Sequence, residues 1–177
     1  MVKVIIKQII DEDFVNYKKP SMLVGFPTCS FKCCKEGNFP VEVCQNCILA
    51  TTSGIEMSPE QIVDRFLSNP ITEAIVIGGM EPFDSFGDLF DLVVELRKYT
   101  LCDCVIYSGY TKEELENGWF YQENRNSNTR KLAYEQLKRF PNIIIKFGRY
   151  IPNQQPHYDK ILGIQLASNN QYAERIS

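Results

Sequence analysis

The chain of 177 residues has one histidine and one tryptophan. A single imidazole excludes the multi-histidine metal sites, so any metal chemistry here has to rest on other donors. No apolar run approaches the ~20 residues that cross a bilayer, which excludes a membrane-spanning helix. Lysine and arginine form no block, and the net charge is −3. A nucleic-acid-binding surface is therefore not expected. Met1 to Ile10 alternates lysine with valine and isoleucine, which reads as a strand and not as the apolar region of a signal peptide. A 44% hydrophobic content gives one domain over 1–177, with enough apolar surface for a sizeable core.

What the chain does have is cysteine, and it is concentrated. Of seven cysteines, five fall between Cys29 and Cys47: Cys29-Ser-Phe-Lys-Cys33-Cys34 and then Cys44-Gln-Asn-Cys47. A disulfide framework fits badly, because Cys33 and Cys34 are adjacent, the total is odd, and a chain of this length builds a core without covalent staples. Free thiols imply a reducing, cytoplasmic setting. Thiolates gathered in this way hold zinc or an iron–sulfur cluster. Cys29-x3-Cys33-x10-Cys44-x2-Cys47 is compatible with a closed four-thiolate zinc site, which would make the chain a non-catalytic protein-interaction module.

Along its length the chain alternates strand and helix. Met22 to Phe26 is a short apolar run leading into the cysteines. Ser58-Pro59-Glu60-Gln61 is a capping box with proline in the first turn, and Ile62, Val63, Phe66 and Leu67 form the apolar face behind it. Ala74 to Ile77 is uniformly apolar, as expected of a strand covered on both faces of a parallel sheet. Leu89, Leu92, Val93, Leu96 and Tyr99 recur at helical spacing. Cys104 to Tyr107 is the next strand, and Thr111 to Glu114 is a second capping box. A polar loop over Asn124 to Thr129, a helix near Arg130 to Arg139, a strand at Ile143 to Ile145 and a last strand near Ile161 to Leu166 complete the pattern. Repeated βα units predict an α/β fold of mainly parallel strands with helices outside it. Ligands of such folds bind beyond the carboxyl ends of the strands. The cysteine window, Gly78-Gly79-Met80-Glu81-Pro82, Ser108-Gly109-Tyr110 and Lys146-Phe147-Gly148-Arg149 all fall there.

In that order, these segments resemble the radical S-adenosylmethionine superfamily. Cys29-x3-Cys33 followed by Cys44-Gln-Asn46 is similar to its cysteine signature, and Gly78-Gly79-Met80-Glu81-Pro82 to its Gly-Gly-Glu-Pro loop with one residue inserted. Ile106 to Thr111, Ile144 to Tyr150 and Ala167 to Gln171 resemble segments of the proteins that activate anaerobic ribonucleotide reductase. The resemblance implies a partial, open (β/α) barrel and a 4Fe–4S cluster held by Cys29, Cys33 and Cys44, with Cys34 and Cys47 as alternates. It implies S-adenosylmethionine near Gly78, Gly79, Glu81, Ser108 and Asn169. Glycine lets the backbone approach the methionyl end closely, with Glu81 as a further acceptor for its amine. The implied activity is reductive cleavage of S-adenosylmethionine to a 5′-deoxyadenosyl radical, which installs a glycyl radical on an anaerobic ribonucleotide reductase. The electron comes from an external donor such as flavodoxin. Another radical enzyme acting on a peptide or small molecule is the alternative within this reading.

The chain departs from that signature in one place. Ten residues separate Cys33 from Cys44 where the signature has two, so 35–43 is expected to loop out between ligands as a docking or shielding element. Cys102 and Cys104 are expected to be packed thiols, His157 a surface residue, Trp119 to Tyr121 a core or lid contact, and Asp84, Asp88 and Asp91 to do no chemistry.

Overall fold

The structure is a computed structural model that describes residues 3–117 and 126–177. In chain order the elements are β1 (Val4–Ile6), β2 (Gln8–Asp13), β3 (Ser21–Phe26), α1 (Lys32–Gly37), a 3-10 turn (Val41–Val43), α2 (Cys47–Thr51), β4 (Ile55–Met57) and α3 (Pro59–Ser68). After them come β5 (Ala74–Gly79), a 3-10 turn (Pro82–Ser85), α4 (Phe86–Tyr99), β6 (Asp103–Tyr107), α5 (Lys112–Asn117), α6 (Asn126–Leu137) and β7 (Ile143–Phe147). The chain ends with β8 (His157–Asp159), β9 (Ile164–Leu166) and β10 (Tyr172–Arg175).

Six strands form one mixed sheet in the order β10-β7-β6-β5-β3-β2. Its three central pairings are parallel and its two outer ones antiparallel. The expectation of an α/β fold with parallel strands at its centre is met. Strands β2 and β10 lie at opposite edges and do not pair with each other. Because β3, β5, β6 and β7 are laid down sequentially, the connecting helices fall against one face. There Ile62, Val63 and Phe66 of α3, Leu89, Leu92 and Leu96 of α4, and Tyr134 and Leu137 of α6 cover Val24, Ile75, Ile77, Ile106, Ile143 and Ile145. The opposite face, with Val76, Val105 and Ile144, is covered by Tyr17, Leu162 and Leu166. Strand β5 is thus buried from both sides, as its unbroken apolar run predicts, and each such isoleucine contributes ~1.5–3 kcal/mol of burial.

Both capping boxes form. Ser58 Oγ accepts from Gln61 N at 3.2 Å while Gln61 Oε1 accepts from Ser58 N at 2.9 Å. Thr111 Oγ1 and Glu114 Oε2 reproduce the exchange at 3.2 and 2.9 Å.

Three local expectations change. The N-terminal strand breaks at Lys7: β1 leaves the main sheet to pair with β4, and β2 pairs with β3. The expected loop before α6 is helical from Asn126 onward, because the apolar face of Ala133, Tyr134 and Leu137 docks on the sheet and the helix propagates toward its start. The last expected strand is a hairpin. Residues 161–163 turn between β8 and β9, with Gly163 at φ 72°, and Asp159 Oδ1 accepts from Ile161 N and Leu162 N at 2.9 Å. Strand β10 then joins the sheet beside β7.

The amino end of β6 is a structural anchor. Asp103 accepts from Tyr17 Oη at 3.0 Å, Lys19 Nζ at 2.7 Å and Arg175 Nη2 at 2.8 Å, which ties an early loop and the last strand to the sheet. Among the described residues no helix is long and apolar enough to cross a membrane. Trp119, Phe120 and Tyr121 lie outside the described residues.

Candidate functional site

Strand β3 delivers the chain into the cysteine segment at the carboxyl edge of the parallel strands. Thr28 O accepts from Glu81 N at 2.8 Å, so the loops after β3 and β5 are joined where they leave the sheet. Phe31 N donates to Cys29 Sγ at 3.3 Å. Phe31 has φ 52°, a left-handed turn that starts α1. Cys33 and Cys34 lie on that helix with their sulfurs 3.8 Å apart. Cys44 follows the 3-10 turn, and Cys47 opens α2, its N–H donating to Cys44 O at 3.0 Å. All seven cysteines are free thiols.

Burial is the largest influence on these thiols. It pushes Cys29 up to about 12, Cys34 up to about 11 and Cys44 above its ordinary value. The smaller contributions map the neighbourhood. Cys33 acts electrostatically on Cys29, Cys34 and Cys44, whereas Cys47 acts on Cys44. Among the described residues no three histidine, cysteine, aspartate or glutamate side chains converge on the position of a single ion. A cavity of about 720 Å³ opens between the cysteine segment and the insert, lined by Cys29, Phe31, Cys34, Phe39, Pro40 and Val41.

The glycine loop packs against this segment. Gly78 and Gly79 pair with Gly25 and Phe26 across the β3–β5 ladder. Gly79 has φ 77°, and a Cβ there would stand 2.9 Å from Gly25 Cα and 3.2 Å from Leu49 Cδ1 of α2. Helix α2, which follows Cys44, thus packs back onto Gly79. Glu81, buried, spends its carboxylate on the protein: Oε1 accepts from Phe83 N at 3.2 Å and Ser108 Oγ at 2.9 Å, and Oε2 from Gly109 N at 2.7 Å. Desolvation, reinforced by Asp84, pushes Glu81 up to about 7 against those hydrogen bonds. Ser108 in turn accepts from Tyr110 N at 3.0 Å. Glu81 and Ser108 together brace the loops after β5 and β6.

The structure brings Cys29, Cys33, Cys44, Gly78, Gly79, Glu81 and Ser108 to one edge. Asn169 is exposed. At that turn Asn170 Nδ2 donates to Arg149 O at 2.8 Å and Gln171 Nε2 to Gly148 O at 3.3 Å. Cys104 is buried and Cys102 half-buried, as packed thiols. His157 is half-buried with Nδ1 unpartnered.

Sequence reasoning missed two residues. Asp84, expected to do no chemistry, accepts from Ser30 N at 2.8 Å, Tyr110 Oη at 2.7 Å and Arg130 Nη2 at 2.7 Å, so it grips the cysteine segment. Lys146, at the end of β7, is buried and donates to Gly148 O at 2.7 Å. Burial pulls its ammonium down to about 8, with Glu81 and Cys33 opposing the shift. A charged residue at the carboxyl end of a strand inside an apolar run was the available signal for Lys146. Asp84 carried none beyond its place after the glycine loop.

Compared with protein-family models the chain matches none, and it matches no curated protein.

Proposed function

We propose that this chain is a radical S-adenosylmethionine enzyme of the activase type. In this reading Cys29, Cys33 and Cys44 hold a 4Fe–4S cluster, and the sheet with its helices forms the partial open barrel of that superfamily. One observation carries the reading. The loop that carries Cys29 is tied to the glycine loop by Glu81 N donating to Thr28 O at 2.8 Å, at the carboxyl edge of parallel strands, and Cys33 follows on α1. Cys44, in the word Cys44-Gln-Asn46, is the third ligand by resemblance to the signature.

Zinc draws four donors around one point at ~2.3 Å. A cubane takes each thiolate on a different iron, so its ligands surround a volume. When bound, the cluster and S-adenosylmethionine supply one-electron cleavage of a carbon–sulfur bond, yielding a 5′-deoxyadenosyl radical.

The chain's own residues do the positioning. Gly78 and Gly79, at the carboxyl end of β5, offer their backbone to a methionyl group. Glu81 and Ser108 fix the two loops that flank it, and buried Lys146 places a cation at the same edge. The substrate in this reading is the glycine loop of an anaerobic ribonucleotide reductase, in the cytoplasm, with a flavodoxin-like donor.

Anaerobic reconstitution tests the proposal. Iron and sulfide should bind, and 5′-deoxyadenosine should form. Cys29→Ala, Cys33→Ala and Cys44→Ala should each lose both, while Cys102→Ala keeps them. Full activity in Cys44→Ala with loss in Cys47→Ala reassigns the third ligand. A colourless protein holding one zinc, with no product, ends the reading. A glycyl radical that appears on the reductase only when this protein is present identifies the substrate.

A further inference from the structure

The turn between Cys29 and Cys33 is strained and held from outside. Phe31 sits at φ 52°, a left-handed conformation that L residues other than glycine rarely adopt and that persists only where the surroundings over-determine it. The residues on either side are both tethered. Ser30 N donates to Asp84 Oδ2 at 2.8 Å, and Ser30 Oγ lies 3.4 Å from Tyr110 Oη. Lys32 Nζ donates to Glu114 Oε1 at 2.6 Å, which Arg149 also engages at 2.5 Å.

Asp84 is the better buried of the two anchors. Its side chain is 8% exposed, and its Oδ1 accepts from Tyr110 Oη and from Arg130, whose side chain is 18% exposed. The Tyr110 ring stands between the tethers, with the guanidinium carbon of Arg130 4.6 Å from its centroid and Lys32 Nζ 5.7 Å away. Partly buried, charge-assisted contacts of this kind define a geometry that exposed pairs do not.

We infer that Asp84, acting through Ser30 and Tyr110, is a positioning residue that holds the strained turn so that Cys29 and Cys33 face one volume before any metal arrives. The inference rests on the cluster reading for what the thiols bind, but the tether belongs to the metal-free chain. Second-sphere contacts that orient ligands in this way strengthen metal affinity without touching the metal.

Hydrogen exchange on the reduced, metal-free protein tests it. In Asp84→Asn, peptides covering 28–37 should exchange about tenfold faster, as expected for loss of one charge-assisted hydrogen bond, while 74–79 and 103–107 keep their rates. Tyr110→Phe removes one hydroxyl and leaves the ring, so it should shift the same peptides by less without unfolding the sheet. Unchanged exchange over 28–37 in Tyr110→Phe, or an equal rise in the central strands, overturns the inference. The two readings fail separately. Local loosening in a protein that never takes up iron keeps the tether and sinks the cluster. Iron and sulfide uptake with no local loosening does the reverse.

Discussion

Replacing Gly79 by alanine separates what the glycine pair does for the fold from what it does for a ligand. Gly79 ends β5 at φ 77°, and the added Cβ would lie 2.9 Å from Gly25 Cα on the neighbouring strand. The left-handed φ costs ~1–2 kcal/mol. Contact with a backbone atom, which cannot rotate away, adds ~1–3 kcal/mol of overpacking. Together these take about 2–5 kcal/mol from a domain whose total stability is ~5–15 kcal/mol. Gly78 provides the control. It has no positive φ, and its Cβ would meet Tyr107 Cβ at 3.2 Å, a side-chain atom at the edge of tolerance. Alanine there also restricts the unfolded chain, a gain of ~0.4–1 kcal/mol, so Gly78→Ala should fall within about 1 kcal/mol of the parent. Urea unfolding of the metal-free variants, with unchanged m-values, reads both numbers. A Gly79→Ala protein as stable as Gly78→Ala would refute the reasoning. If the difference is found, lost nucleotide binding in a Gly79 variant does not report on nucleotide contact, and Gly78→Ala is the cleaner probe.

Two further outcomes are expected. Burial pushes the Asp103 carboxyl up, but hydrogen bonds from Lys19, Arg175 and Tyr17 outweigh it and hold the group at about 2, against an ordinary value of 3.8. Its stabilising contribution is therefore fully present above pH ~4 and is lost as pH falls through about 2. With Lys19 40% and Arg175 42% exposed, screening reduces a nominal ~2.4 kcal/mol to ~1–2 kcal/mol. Asp103→Asn should cost that much at pH 7 and about half at pH 3, and equal costs at the two pH values in urea titrations would contradict the assignment. On either side of Cys44, Val41, Val43 and Ile48 are exposed at 37%, 39% and 75%. On the proposed activase reading, replacing all three by serine should leave 5′-deoxyadenosine formation unchanged and slow glycyl-radical formation on the partner; a normal activation rate would leave these side chains without a docking role.

The parts of the fold that sequence reading recovers are those whose cause is local. Ser58 and Gln61, and Thr111 and Glu114, are three residues apart, so each capping box is visible in a four-residue word. The apolar run of β5 likewise contains its own explanation. The hairpin at 157–166 was missed because its reason is tertiary: Leu162 at the turn and Leu166 on β9 are needed to cover Val76 and Val105, and neither strand exceeds three residues. The bracing role of Asp84 was illegible for the same reason. Its partners lie 54 residues away at Ser30, 26 at Tyr110 and 46 at Arg130, and a lone aspartate after a proline gives no hint of them. The cysteines were legible as a group because five of the seven fall between Cys29 and Cys47. Asn169 is exposed beside Asn170, whose side chain is tied to Arg149 O, an arrangement that a short polar word does not announce.

The long gap between Cys33 and Cys44 is the chain's sharpest departure from the signature it resembles, and the structure shows what occupies it. Lengthening a flexible loop from two to ten residues costs about 1.4 kcal/mol in closure entropy. That cost applies to a flexible segment, and this one is not. Cys33 and Cys34 sit on α1, whose C-cap Asn38 N–H returns to Cys34 O, and Phe39 N donates to the same carbonyl at 3.1 Å. The Phe39 ring lies over Gly37 so closely that a Cβ there would stand 2.2 Å from it. The 3-10 turn at Val41–Val43 then passes directly to Cys44, and α2 sets Leu49 against Gly79. Each step spends the extra residues on local hydrogen bonds or packing, so Cys44 returns to the neighbourhood of Cys33 by a defined path. The same path covers one side of the cavity with Phe39, Pro40 and Val41. An insert built only to span a distance would have no need to wall the cavity that Cys29 and Cys34 line.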